Sequence, residues 1–345
     1  DGVYLAGSRT KLLFASTRGS RDRSDLFLFD PKNDDGPMPL EPQICTFGSE
    51  WNPGVDGDPH VYIFLGNVPG VGGYFSAPDE YPTEIRPHSN EHEMFYINLE
   101  NAMPGSAYFD GILAHEFQHM IHWYNDRNEE TWMNEGFSEL AMYLNDYDTG
   151  GADWIFAMEP DTQLNSWPEG PGAAGANYGA AYLFTSYFLD RFGSEATQAL
   201  VAHPENSFAS VDAVLEELDT GLTYKDLFGD WTVANLVDDP SIVDGRYGYA
   251  DINPPSLDIE TTYRKSDYPV SGSGTVHQHG TDYVELQGDS PLAFRFIGST
   301  QIGLVDTTAH SGRYFWWSNR GDDSDMMLTR VFDLSDVSEA TLEFW

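Results

Sequence analysis

The stretches LAHEFQHMIHW, residues 113–123, and WMNEGFSELAMYLN, residues 132–145, decide how the central part of this 345-residue chain folds. In the first stretch His115 and His119 are four residues apart, so on a helix they lie one turn apart on the same face, with Glu116 beside them. This H-E-x-x-H arrangement is typical of two imidazoles that share one metal ion. We therefore predict a helix that carries a metal site.

The apolar residues of both stretches recur at helical spacing and predict two helices that each bury one face. In the first helix the predicted core stripe is Leu113, Phe117, Met120 and Tyr124. In the second helix it is Met133, Phe137, Leu140 and Leu144. Because the histidines lie opposite the first stripe, the first helix is expected to pack one face and to present the other.

Two carboxylates of the second helix are candidate partners for the histidines. Glu135 and Glu139 are four residues apart and share a face of that helix, which suits one metal ligand and one side chain that supports a ligand. The connection at 125–130 is short and polar, so the two helices can pack as antiparallel neighbours. His122 lies two turns, about 10.5 Å, beyond His115, too far to bind the same ion. We interpret His122 as a cleft-edge or hydrogen-bonded histidine.

Strand patterns come before helical patterns along the chain, which is the order of an α+β fold. A β-hairpin is predicted from the apolar runs at 12–15 and 26–29. The further predicted strands are 60–65, 72–76 and 93–99. The predicted helices are 108–125, 129–145, 178–192, 210–218 and 224–237, the last opened by Thr223 with Asp226 at capping-box spacing. From residue 282 onward short strands recur between turns, as in a β-sandwich.

The charge of the chain excludes several classes of partner. The 17 Lys and Arg residues against 56 Asp and Glu residues give a net charge of −39, which repels nucleic acids and anionic bilayers. No apolar run approaches the ~18 residues that would span a membrane, so membrane insertion is not expected. Cys45 is the only cysteine, so neither an internal disulfide nor a CxxC motif exists. The sequence does not indicate an oligomeric state.

Together, the two stretches resemble the gluzincin zinc metallopeptidases, and most closely the hyicolysin-type catalytic domain. The resemblance implies one catalytic Zn²⁺ bound by His115, His119 and Glu135, with Glu116 as the general base. It also implies that Glu139 accepts a hydrogen bond from a ligating histidine, His115. The 16-residue separation from His119 to Glu135 is shorter than in thermolysin, and spacing alone favours Glu139 as ligand. The Asn-Glu-x-x-Ser context favours Glu135.

A further resemblance concerns the stretch NYGAAYLFTSYFLDRFG, residues 177–193. It is similar to a helix of related metalloaminopeptidases that begins with a tyrosine whose hydroxyl stabilises the oxyanion of the reaction. This implies that role for Tyr178, and the alternative is a core aromatic residue. The metzincin signature is not met, since it requires Gly at position 122 and His at position 125, where this chain has His122 and Asn125.

The C-terminal part has its own resemblance, carried by HGTDYVELQGDSPLAF at 279–294 and HSGRYFWWSNRGDDSDMMLTRVFDLSDVSEATLEFW at 310–345. Both are similar to the MAM-like β-sandwich of the immune inhibitor A peptidases, which implies an incomplete jelly-roll sandwich here. Asp322, Asp323 and Asp325 are candidate oxygen ligands for Ca²⁺, with a plain polar turn as the alternative.

The expected organisation is an N-terminal β segment at 1–40, a gluzincin-like metallopeptidase domain at 41–250, a connector at 251–280 and the partial sandwich at 281–345. The resemblance implies a secreted zinc endopeptidase that acts on protein or peptide substrates. The strand near 72–76 is the expected edge on which an extended substrate adds. The alternatives are a catalytically silent adhesion or glycan-binding module and an aminopeptidase.

Overall fold

The computed structural model describes residues 46–58, 61–168, 170, 172–299 and 309–316, the backbone of three strands before residue 40, and scattered residues from 327 to 343. The chain divides into two compact units, 1–287 and 288–345. Within the described part, the α-helices of seven or more residues are α1 (Ala107–Asn125), α2 (Thr131–Leu144), α3 (Ala152–Met158), α4 (Gly175–Val201), α5 (Phe208–Glu217) and α6 (Tyr224–Val237). The strands are β1 (Leu12–Ser16), β2 (Asp25–Phe29), β3 (Pro37–Pro39), β4 (Tyr62–Gly66), β5 (Gly73–Phe75), β6 (Met94–Asn98), β7 (Thr261–Tyr263) and β8 (Val284–Leu286).

The first unit is a mixed α and β structure, as predicted, with the strands β1–β6 ahead of the helices in the chain. The antiparallel pair of β1 and β2 confirms the predicted hairpin, and β3 pairs with β2. In the second sheet, formed by β4, β5 and β6, strand β6 lies in the centre, parallel to β4 and antiparallel to β5. The side chains of Phe95 and Ile97 in β6 are fully buried, as suits apolar residues on the covered face of a sheet. Consequently β5 is an edge strand.

Helix α1 begins where the Ser106 hydroxyl accepts a hydrogen bond from the backbone N–H of Phe109, at 3.1 Å. The predicted core stripe is confirmed for Leu113, Phe117 and Met120, which are 0–1% exposed. It is wrong for Tyr124, which is 42% exposed in the last turn of the helix.

The expectation that α1 presents its other face is also wrong. Residues around the whole circumference of α1 are buried, among them Ile112, Ala114 and Ile121. The reason is that α1 packs between two layers, with β5 and β6 on one side and α2 on another. The helix is therefore a central element of the core, and between residues 111 and 123 only His115 and His119 are half-buried rather than buried.

Helices α2 and α4 approach each other closely at Gly136. A Cβ atom there would lie 2.8 Å from the carbonyl oxygen of Ala181, so this crossing requires a residue without a side chain. The hydroxyl of Thr185 donates a hydrogen bond of 2.9 Å to the carbonyl of Gly136 at the same contact. Helix α4 also continues past the predicted end, with a kink at Gly193, where φ is 80° and ψ is 176°.

Elsewhere the predicted helices are found within a few residues, and the predicted capping box is confirmed, since Thr223 and Asp226 exchange hydrogen bonds at the start of α6. The short helix α3 was not predicted. Strand β7 lies in the segment assigned as a connector and pairs in parallel with β8. None of the helices in the described ranges is long and apolar enough to cross a membrane.

The second unit, 288–345, contains neither helix nor strand among those of its residues that the structure describes. The candidate Ca²⁺ ligands Asp322, Asp323 and Asp325 lie outside the described residues. The jelly-roll sandwich and the domain boundaries assigned from the sequence stay predictions.

Candidate metal centre

Three predicted metal ligands meet between α1 and α2. The Oε2 atom of Glu135 lies 3.2 Å from Nε2 of His115 and 3.6 Å from Nε2 of His119. The two imidazole rings are one turn apart on α1, with centroids 4.7 Å apart. One ligand atom from each of the three residues lies within 4.8 Å of the others, so the group could hold a metal ion.

The residues present fit a zinc ion. On tetrahedral Zn²⁺ with ligands at about 2.0–2.1 Å, two ligand atoms lie about 3.3–3.4 Å apart. The observed separations of 3.2 and 3.6 Å from Glu135 to the two histidines bracket that value. Two imidazole nitrogens and one carboxylate oxygen are also a donor set that zinc prefers over calcium or magnesium, which favour oxygen.

The other nitrogen of each imidazole is held by a residue of α2. Nδ1 of His115 lies 3.3 Å from Oε1 of Glu139, as the resemblance implies. Nδ1 of His119 lies 3.0 Å from Oγ of Ser138 and also contacts Oδ1 of Asn134. Because these oxygen atoms face Nδ1, Nε2 of each ring is left to face Glu135.

Sequence reasoning did not assign roles to Asn134 and Ser138. Ser138 is fully buried, and its hydroxyl donates to Gln118 on α1 at 2.9 Å while facing His119. The signal was present in the sequence, because Asn134 and Ser138 are four residues apart and precede Glu135 and Glu139 by one position each. Asn134 and Ser138 therefore form a second i, i+4 row on α2, turned by about 100° from the row of Glu135 and Glu139.

The electrostatics of the cluster follow from burial and proximity. Burial by itself would lower the pKa of His115, but hydrogen bonds to Glu135 and Glu139 outweigh it and hold that pKa well above its usual value. Burial would raise the pKa of Glu135, but the neighbouring His119 and His115 hold it well below its usual range. Because imidazole and carboxylate must be deprotonated to bind a metal ion, a cation that binds here would compete with protons.

Glu116 lies beside this cluster and is not one of the three grouped ligands. It is 5% exposed, and the backbone N–H of Phe75 in the edge strand β5 lies near its carboxylate and acts to lower its pKa. Burial raises the pKa of Glu116, the positive charges of His115 and His119 oppose that effect, and the charge of Glu135 adds to it. A buried carboxylate beside two ligating imidazoles has the surroundings of a proton acceptor.

Tyr178, near the start of α4, faces the same cluster from a third helix. The pKa of its hydroxyl is raised first by burial and then by the nearby carboxylates of Glu135, Glu139 and Glu116. Its ring makes an edge contact with Trp167, with centroids 4.8 Å apart. The structure thus brings Tyr178 to the predicted ligands rather than into the core alone.

His122 differs from its interpretation in the sequence. It is fully buried at the end of α1, and neither ring nitrogen has a hydrogen-bond partner among the described residues. Its ring makes an edge contact with Phe137, with centroids 5.8 Å apart. Among the described residues it is therefore neither at a cleft edge nor hydrogen-bonded, because its ring is buried against Phe137.

No family model matches this chain, and no curated protein matches its sequence.

Proposed function

We propose that this chain is a zinc-dependent metalloendopeptidase with a gluzincin-like, hyicolysin-like catalytic domain. The observation that carries the proposal is the convergence of His115, His119 and Glu135 with Glu116 buried beside them. A purely structural metal site does not require a further buried carboxylate that is not a ligand. The supports from Glu139 and Ser138 hold both rings in a fixed orientation, as a catalytic site requires.

In this proposal His115, His119 and Glu135 hold the zinc ion. Zinc bound in this way supplies a Lewis acid for the scissile carbonyl and lowers the pKa of a water molecule. The carboxylate of Glu116 takes the proton of the attacking water and passes it to the leaving nitrogen. The nearby Phe75 N–H would help to orient that carboxylate. The hydroxyl of Tyr178 donates to the negative charge that develops on the carbonyl oxygen.

An extended peptide has a natural place on the edge strand β5. Strand β5 pairs on one side with β6, and a substrate strand would add along its other side. Because the Phe75 N–H of β5 lies near Glu116, a peptide bound along β5 would be brought to the proton acceptor. Binding along a strand edge selects an extended backbone rather than a chain terminus, which favours internal cleavage.

The remaining parts of the proposal concern the setting of the enzyme. We propose that the protein is secreted and that residues 281–345 are part of a MAM-like, jelly-roll accessory domain. Ca²⁺ bound by that part would contribute to stability and not to catalysis.

The experiment is cleavage of an unstructured protein, such as reduced and alkylated casein, by the purified chain. Activity is expected to disappear with a chelator and to return with added Zn²⁺. Glu116→Gln is the matched control, because it keeps the shape of the side chain and all three ligands. A parent protein that binds zinc but cleaves nothing would refute the proposal and favour a silent adhesion module. Cleavage of peptides with a free N-terminus only, and not of N-acetylated ones, would indicate an aminopeptidase.

A further inference from the structure

A second group of metal-ligating side chains lies at the far end of α1, in His122, Asp126 and Glu129. One ligand atom from each lies within 4.8 Å of the others. His122 and Asp126 belong to the last turn of α1 and the residue that caps it, and Glu129 lies in the connection to α2. None of the three residues belongs to the centre described above.

The donor atoms of this group are buried and unpartnered. Both ring nitrogens of His122, Oδ2 of Asp126 and Oε2 of Glu129 are inaccessible to solvent, and none has a hydrogen-bond partner among the described residues. A buried polar atom without a partner costs ~1–3 kcal/mol, and more when it is charged, so four at one point are not explained by chance packing.

The second oxygen of each carboxylate is held by the backbone, which aims the unpartnered oxygen. Oδ1 of Asp126 accepts from the N–H of Asn128 at 3.3 Å. Oε1 of Glu129 accepts from the N–H of Ser207 at 2.8 Å and from the N–H of Glu130. Hydrogen bonds of this kind to the outer oxygen are typical of carboxylates that bind a metal with the other one.

No Lys or Arg side chain among the described residues pairs with the two carboxylates, and the one histidine whose charge acts on Asp126 from outside the group is His203. The neighbouring Arg127 instead lies over the rings of Trp123 and Tyr81, at 4.5 and 5.7 Å from their centroids. Burial accordingly raises the pKa of Glu129 to about 7 and also raises that of Asp126.

We propose that His122, Asp126 and Glu129 form a second, structural site for a divalent transition-metal ion of the zinc type. The imidazole donor argues against Ca²⁺ and Mg²⁺, which prefer oxygen ligands only. An ion with two positive charges balances the two carboxylates, and burial excludes a substrate. The ion fixes the turn that connects α1 to α2, and through Ser207 it also fixes the start of α5. This inference does not depend on the proposed peptidase activity.

The test counts metal ions per chain. The full chain is stripped with a chelator, dialysed, loaded with Zn²⁺, passed over a desalting column and analysed for bound zinc. We expect two equivalents in the parent protein. The double variant Asp126→Asn, Glu129→Gln should bind one equivalent of zinc. The double variant His115→Ala, His119→Ala should also bind one equivalent. Asp126→Asn alone and Glu129→Gln alone should each weaken the affinity for the second zinc ion more than ~100-fold in chelator competition. The loss of a residue that only hydrogen-bonds to a ligand weakens affinity ~10–100-fold.

Asp79→Asn is the matched control, because Asp79 is also a buried carboxylate, but both of its oxygens have donors, in Asn90 and Tyr96. It should still hold two equivalents. A His115→Ala, His119→Ala variant that holds no zinc overturns the inference, even if the Asp126 and Glu129 variants do not fold. If the parent binds one equivalent of zinc, and only the substitutions at Asp126 and Glu129 abolish it, the first site is refuted and the second site is supported.

Discussion

Gly136→Ala tests the packing that holds the helix of Glu135 against the helix of Tyr178. Gly136 is buried in α2, and an added Cβ would lie 2.8 Å from the carbonyl oxygen and 3.0 Å from the carbonyl carbon of Ala181 in α4. Both neighbours are backbone atoms, so a side chain cannot rotate away to relieve the contact. The two helices must separate by a few tenths of an ångström.

The size of the effect follows from three contributions. Replacing Gly by Ala inside a helix is favourable by ~1 kcal/mol in the absence of contacts. Overpacking a buried contact costs ~1–3 kcal/mol. Separation of the helices also weakens the 2.9 Å hydrogen bond from Thr185 to the Gly136 carbonyl, which costs a further ~0.5–1.5 kcal/mol. We expect a net loss of about 0.5–3.5 kcal/mol in the free energy of unfolding.

The assay is urea or thermal unfolding of the metal-stripped protein, followed by circular dichroism. Gly229→Ala is the matched control, because Gly229 also lies inside a helix, α6, but an added Cβ meets no atom within 4 Å. That variant should gain ~0.5–1 kcal/mol. The reasoning is refuted if Gly136→Ala is as stable as the parent or more stable while Gly229→Ala shows its expected gain.

Three further predictions concern the metal centre. Glu116→Gln should keep its zinc but lose ~10²–10⁴-fold in peptidase activity, and activity within about tenfold of the parent would remove Glu116 from the role of base. Glu135→Ala should abolish stoichiometric zinc in a metal titration, whereas Glu139→Ala should weaken binding ~10–100-fold, and the reverse ranking would exchange their roles. Tyr178→Phe should lower kcat and kcat/KM together by roughly 10²–10³ with unchanged zinc content, and a nearly unchanged rate would make Tyr178 a packing residue.

The relation between Glu135 and Glu139 illustrates how far sequence reasoning reaches. Their spacing places both on one side of α2, and this local feature is found in the structure. Spacing cannot say which of them meets Nε2 of His115 and which meets Nδ1, because that depends on how α2 crosses α1. In the structure Glu135 lies opposite Nε2 and Glu139 opposite Nδ1, at 3.2 and 3.3 Å.

By itself the sequence determined what is local: helices with apolar residues at periods of three and four, a capping box at Thr223, and two histidines one turn apart on α1. The periodicity arises from the geometry of a single helix, so it can be read along the chain. Only the tertiary structure decided that α1 is buried on its second face as well, that Tyr124 is exposed, and that Glu135 and Glu139 face different nitrogens of His115. These outcomes depend on which surfaces pack together, and contacts between distant segments leave no periodic signal in the sequence.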